Sequence, residues 1–362
     1  MFLGLRGVGV EGGVETHVDE LVKHLPYEAD SLEIVGREPY RRLAAKRLTP
    51  MRWLWSPKAS GFEALVHSFI GVIYAAVKRP EVLHIHAIGP SVFTPLARLA
   101  GLKVVATHHG EDYRREKWGT VAKAILKIGE YCAVQYADAC ISVSPVVASR
   151  LREQFRRQVD FIPNGVRELA KPASVDQLAK HGLKPGRYVV QVARVVGEKR
   201  QLDLIAAFAL AGLDGYKLAI VGGDGEGAYA QRVRNIAAET PNVIMTGSLS
   251  GEELAQVFSN AALFVLPSTH EGLPIALLEA MSYQLPVLVS DLPVHKALGL
   301  PETAYFPVTD IAALSTRLAE LSGGLAKPDW SGWLATYRWG AIAQLTAEVY
   351  ARVVEPRKHS VH

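Results

Sequence analysis

Short apolar runs rich in β-branched residues alternate with amphipathic stretches along this chain, and the pattern occurs twice. In the first half the strand-like runs are FLGL, DSLEIVG, EVLHIHA, KVVATHH, ACISVS and VDFIP. Helical patterns such as VETHVDELVKHL and TVAKAILKIGEYCAVQYA lie between most of them. In the second half RYVVQVA, YKLAIVG, NVIMTG, LFVLPS and LPVLVS are interleaved with QLDLIAAFALAG, EELAQVFSNAA and PIALLEAMSY. Strands that are apolar throughout suit parallel sheets covered by helices on both faces. The expected class is α/β, with two doubly wound, Rossmann-like domains. A polar stretch over 166–187 ends in Lys-Pro-Gly and reads as the link between them. The expected organisation is a domain over 1–166, a linker over 167–186, a second domain over 187–329, and a last helical segment within 330–362. In such sheets ligands bind beyond the carboxyl ends of the strands, so useful residues are expected just after strands, lining a cleft between the domains.

Composition fits this picture: of 362 residues, 49% are apolar and 21% charged, the balance of an ordinary globular protein. The longest apolar candidate for a membrane span, FIGVIYAAV, falls well short of the roughly eighteen residues needed. MFLGLRG has neither the basic start nor the cleavage site of a signal peptide. Cys132 and Cys140 sit in apolar segments and are expected as buried, reduced thiols. These features point to the cytoplasm. Charge adds one asymmetry. Residues 1–170 carry a net +5 (23 Lys+Arg, 18 Asp+Glu), and 171–362 carry −1 (17 and 18). The excess gathers in 37–58, with seven basic residues against one Glu, beside Tyr40, Trp53 and Trp55. Such a segment either lies on an anionic membrane surface or is a solvated loop and helix face. No nucleic-acid motif accompanies it, so nucleic acid is not an expected partner.

Five loops carry candidate chemistry. RGVGVEGGVETH follows the first strand, and its glycines, with a helix starting near Gly13, could cradle a phosphate or simply turn the chain. KVVATHHGEDY ends a strand with His108, His109, Glu111 and Asp112. A metal site is conceivable from these types, but adjacent histidines on a strand end point to opposite faces and do not easily share one ion. Arg194 and Lys199 in VQVARVVGEKR stand between a strand and a helix, where two cations suit a diphosphate. VGGDGEG is a glycine turn after the next strand. In LFVLPSTHEGLPIALLEAM, Glu271 precedes a helix that Pro274 would open, and Glu279 lies in its second turn. A glutamate among Ala, Leu and Met is costly to bury without a polar partner, and a ribose diol would serve.

GGVETH, HIHAIGP, HHGEDYRREKWG, IPNGV, ARVVGEKR, VGGDGEG and EGLPIALLE together resemble family-4 glycosyltransferases: retaining, metal-independent enzymes of two-Rossmann GT-B architecture. HHGEDYRREKWG is similar to bacterial members of surface-polysaccharide assembly, rhamnosyltransferase-like ones included. The resemblance implies a nucleotide diphosphate sugar as donor, a glycan or lipid-linked sugar as acceptor, and no cofactor or metal. It implies that Gly12 and Gly13 approach the diphosphate, that Arg194 and Lys199 neutralise it, and that Gly272, Leu273 and Ile275 line the donor. Glu279 would take the ribose hydroxyls and Glu271 those of the sugar. His109 would line the sugar–acceptor side, with Asp112 on the acceptor side. The last helix would cross back to the first domain. Gln284 departs from the family at a helix C-cap where glycine is usual. Two other readings are a nucleotide-sugar epimerase of the same architecture and a non-catalytic nucleotide-sugar-binding subunit. Product analysis without acceptor separates the first, and tight binding without turnover marks the second.

Overall fold

In a computed structural model, which describes the chain apart from residues 11, 44–48, 59–61, 116–117, 224–226, 325, 327 and 356–362, the apolar runs form two wholly parallel sheets. The first contains β1 (Phe2–Leu3), β2 (Ile34–Arg37), β3 (Met51–Leu54), β4 (Leu83–His86), β5 (Val104–His108), β6 (Ala139–Ser142) and β7 (Asp160–Phe161). Its order is β3-β2-β1-β4-β5-β6-β7. The second contains β8 (Tyr188–Val192), β9 (Lys217–Val221), β10 (Val243–Gly247), β11 (Leu263–Leu266), β12 (Val287–Ser290) and β13 (Tyr305–Phe306), in the order β10-β9-β8-β11-β12-β13. Strand order reverses between β1 and β4 in one sheet and between β8 and β11 in the other, the points where open α/β sheets bind ligands. Two compact units result: Met1–Gly165 together with the chain from Tyr337 onward, and Val166–Thr336.

Adjacent residues of β1 show why the central strands are mostly apolar. Phe2 belongs to a core with Leu5, Val18 and Leu21, and with Trp339, Ile342 and Tyr350 of helix Trp339–Val354. Leu3 points the other way, into a core with Val72, Ile85, Ala106 and Ala133. Both faces are covered, so both side chains are buried. In the second unit Val189, Leu218, Ile220, Val265 and Leu288 join Leu204, Phe208 and Leu314 from covering helices. After β1 the backbone passes so close to β4 that a Cβ on Gly4 (φ 113°) would lie 2.2 Å from the His86 carbonyl oxygen. Only glycine fits there.

The structure departs from the sequence-based expectation in four places. First, the basic segment contains an edge strand, β3, whose Trp53 ring packs on Gly7 and Gly36 instead of facing solvent. Arg37 pairs with the Glu63 carboxylate at 3.7 Å, and Arg52 lies 3.8 Å from Glu33. The charges are spent partly on the fold; Lys46 and Arg47 lie outside the described residues. Second, 330–353 is two helices, Ser331–Thr336 and Trp339–Val354, broken at Tyr337 and Arg338. Third, Pro274 is the N-cap of helix Ile275–Ser282 rather than its first residue. Fourth, Gln284 adopts the left-handed conformation (φ 56°) that glycine usually supplies, and its Oε1 accepts a 3.0 Å bond from the Trp330 N–H. The polar stretch 167–186 carries helix Asp176–Lys180, where the Gln177 N–H donates to Gln256 Oε1 at 2.9 Å. Cys132 and Cys140 are buried and free.

Candidate functional site

In the first unit the β1 loop leads into helix Gly13–His24, with Gly12 as its N-cap. Arg6 and Glu15 close over that end: the Arg6 Nε donates to Glu15 Oε1 at 3.0 Å, and a Cβ on Gly12 would sit 2.1 Å from Glu15 Oε2. Gly13 has open space around it. The helix also delivers His17, a buried side chain whose Nδ1 donates to Asn164 Oδ1 at 2.9 Å.

His108, which ends β5, and His109, which follows it, part as strand geometry dictates. His108 turns inward, donating from Nε2 to Glu130 Oε2 at 2.9 Å while its Nδ1 accepts from the Gly110 N–H at 3.3 Å. Arg150 grips the same carboxylate with both Nη atoms, at 3.2 and 2.6 Å. Burial pushes the Glu130 carboxyl up, but the His108 and Arg150 bonds outweigh it and bring its pKa down to about 2 from an ordinary 4.5. A depressed carboxylate stabilises the fold above its unfolded pKa and loses that contribution as pH falls through the folded one. The stability gap between wild type and Glu130→Gln should therefore be largest near neutrality and shrink by on the order of 3 kcal/mol as pH falls from about 5 toward 2. Urea unfolding across that range measures it; a pH-independent gap would show that the carboxylate carries no such linkage.

His109 turns the other way. Its Nε2 lies 3.0 Å from His86 Nδ1, with the rings stacked at 5.3 Å between centroids, and the His17 ring meets it edge-on at 4.8 Å. Burial, and then the neighbouring histidines, hold the His109 imidazole well below its usual pKa. Asp112 stands in a short 3-10 turn and is held by Arg115 Nη2 at 2.9 Å. The structure thus brings His109 together with two histidines the sequence reading did not single out. HIHA carried a signal for His86: it is the last residue of β4, in register with Thr107 of β5, two residues before His109.

In the second unit the loop after β8 carries Arg194 and Lys199. Two buried glutamines fasten it from below. Gln191 Nε2 donates to the Lys199 carbonyl at 2.8 Å, and Gln201 Nε2 to the Arg194 carbonyl at 3.0 Å. The loop after β11 is tied to it by the Thr269 N–H donating to the Glu198 carbonyl at 3.0 Å. Glu271 on that loop forms an ion pair with the Lys199 ammonium; the carboxylate side chain is 8% exposed. Burial raises the Glu271 carboxyl, but Lys199 and then His295 outweigh it, and the group stays below its ordinary range. His295 is fully buried and donates from Nδ1 to the Ser290 carbonyl at 2.7 Å. Gly272 and buried Leu273 continue into helix Ile275–Ser282, with Ile275 at its start and half-buried Glu279 in its second turn. Of VGGDGEG, residues 224–226 lie outside the described residues.

Two doubly wound parallel sheets in one chain, each with polar side chains gathered beyond its strand ends, define the GT-B architecture. The Anabaena protein HepE, solved with UDP and glucose, has this fold with a TM-score of 0.80 over 97% of this chain and 99% of its own, at 17% identity. Sucrose-phosphate synthase from Thermosynechococcus elongatus has a TM-score of 0.77 over 97% and 98%, at 20% identity. In sequence, a GDP-mannose-dependent alpha-(1-6)-phosphatidylinositol monomannoside mannosyltransferase of Mycolicibacterium smegmatis is 25% identical, across 98% of this chain and 97% of that protein. The Mycobacterium tuberculosis enzyme of the same name is 27% identical over 71% of this chain and 72% of its own. The model of "Glycosyltransferase Family 4" matches residues 11–168, and that of "Glycosyl transferases group 1" matches 173–321. The chain belongs to the group 1/family 4 glycosyltransferases and is an enzyme that transfers a sugar from a nucleotide-sugar donor.

Proposed function

We propose that this enzyme moves a hexose, with retention of configuration and without a divalent metal, from a nucleoside diphosphate sugar to a hydroxyl of a membrane-associated glycolipid or glycan precursor. The observation that carries the reading is the pairing of Lys199 with Glu271 beside Arg194, on two loops that meet at the point where the second sheet reverses. Arg194 and Lys199 take the place a metal would hold on the diphosphate, in a loop whose backbone is fixed in advance. The free N–H groups that open helix Ile275–Ser282 face the same charge. Glu279 accepts from the ribose hydroxyls, and Glu271 from the sugar. Gly12 and Gly13 give the diphosphate room. His109 lines the sugar, and Asp112 the acceptor. The acceptor attacks from the face the diphosphate leaves, and a phosphate oxygen of the leaving group takes its proton.

Incubating the protein with nucleotide sugars tests this reading. The true donor, at a hundred times its dissociation constant, should stabilise the protein by about 2.7 kcal/mol and yield nucleoside diphosphate only with acceptor present. Sugar isomerised in the absence of acceptor would point to the epimerase. Chelation of divalent metals should leave turnover intact; activity abolished by a chelator and restored by manganese would overturn the metal-free scheme.

For the membrane, helix Phe62–Lys78 supports the reading better than the segment 37–58 does. Phe62, Phe69, Ile73 and Val77 recur at spacings of seven and four along one helical face, and all are exposed, Val77 by 78%. Lys78 and Arg79 follow. Among the described residues no helix is long and apolar enough to cross a membrane, so attachment would be peripheral. Anionic vesicles should co-sediment the wild type, and Ile73→Gln with Val77→Gln should release it. Equal sedimentation of the two would remove this face from consideration.

A further inference from the structure

We propose that His17, His86 and His109 bind a divalent transition-metal ion of the zinc type, and that the bound ion withdraws His109 from the donor sugar. The three side chains come from helix Gly13–His24, from the end of β4 and from the residue after β5, around the point where the first sheet reverses. A ring nitrogen of each lies within 4.8 Å of one on each of the others. An ion with Zn–N bonds of about 2.0–2.1 Å in tetrahedral geometry holds its nitrogens about 3.3 Å apart. The His86–His109 pair, at 3.0 Å, is already near that separation. His17 has to close by on the order of an ångström.

His86 is fully buried, and the nitrogen it turns to His109 is Nδ1, so Nδ1 is the ligand atom and Nε2, which has no hydrogen-bond partner among the described residues, carries the proton. The surroundings are those of a held ligand set. Asn164 Oδ1 fixes the His17 ring by accepting from Nδ1, which leaves the lone pair on Nε2. The His84 ring lies 4.0 Å from that of His86 and is itself bound by Tyr350 and Thr107, each at 2.6 Å. Three neutral ligands leave the ion its full double charge and an open fourth position for water or an anion. Borderline cations that favour imidazole fit this set; magnesium and calcium, which require oxygen, do not.

The metal site stands on its own geometry, whereas its effect on turnover rests on the proposed role of His109. Titration calorimetry with Zn²⁺ on chelator-stripped protein should show one tight site per chain. His86→Ala and His109→Ala should each weaken it by about tenfold or more, and Asn164→Ala, which touches no metal, by about ten- to a hundredfold. Co²⁺ should give visible bands of a low-coordinate nitrogen site in the wild type only. Should His86→Ala fail to fold, the half-buried His109→Ala carries the test, with circular dichroism as the check. Zinc affinity equal in wild type and folded His109→Ala would overturn the site. Donor binding to the metal-free protein is measured separately. Tight zinc binding with no donor binding keeps the metal site and rejects the donor reading. Unchanged turnover at saturating zinc rejects the withdrawal of His109.

Discussion

Replacing Arg194 or Lys199 with alanine should lower turnover at saturating donor by roughly two to three orders of magnitude, the usual loss when one preorganised stabiliser of developing charge is removed. The diphosphate gains negative charge as the glycosidic bond breaks, so a fixed cation binds the transition state more tightly than the ground state. Preorganisation comes from Gln191 and Gln201, which hold the loop by its carbonyls. The two variants should differ in stability. Lys199→Ala strands the Glu271 carboxylate, 8% exposed, without its counter-charge. Breaking a buried pair from one side costs about 3–5 kcal/mol. Adding Glu271→Gln to Lys199→Ala should restore much of the thermal stability but none of the turnover. Folded variants that turn over at the wild-type rate would remove both cations from the reaction.

Glu279→Ala should weaken nucleoside diphosphate binding by about 1.5–3 kcal/mol, the worth of hydrogen bonds to a charged group, or roughly ten- to over a hundredfold in dissociation constant. The carboxylate is half-buried in the second turn of helix Ile275–Ser282, and its charge helps hold the Tyr283 phenol above its ordinary pKa, after burial itself. Glu279→Gln, which keeps an acceptor oxygen, should lose less than alanine does. A 2′,3′-dideoxy nucleotide should bind wild type and Glu279→Ala alike. Calorimetry on folded protein decides; full affinity in Glu279→Ala would sink the ribose assignment.

Strands that are apolar over most of their length, such as β11 (LFVL) and β12 (VLVS), were legible because a sheet buried on both faces favours that composition. The edges were not. β3 is MRWL, half-exposed, and reads as part of a basic stretch; β13 is two residues long. Positions just beyond strands were also legible: Arg194, Lys199, Glu271 and His109 all stand there. Their partners were not. Lys199 meets Glu271 across 72 residues, and His17 meets Asn164 across 147. Nothing local in the chain encodes such a pair; it follows from strand order. The same holds for Arg37 and Trp53. Their composition suggested a surface, and a neighbouring glutamate and two glycines turned them inward.

The helix Trp339–Val354 closes the core begun by Phe2, Leu5 and Val18. Everything between Val166 and Thr336 belongs to the other unit. On a ribosome the second unit therefore has all its strands in hand while the first still lacks Trp339, Ile342 and Tyr350. The sheet that starts first is the last to be sealed. Until helix Trp339–Val354 is made, one face of β1 and the helix carrying His17 lack their cover, a window in which chaperones would find apolar surface. A ribosome stalled before residue 339 would expose a nascent chain whose second half resists protease and whose first half does not.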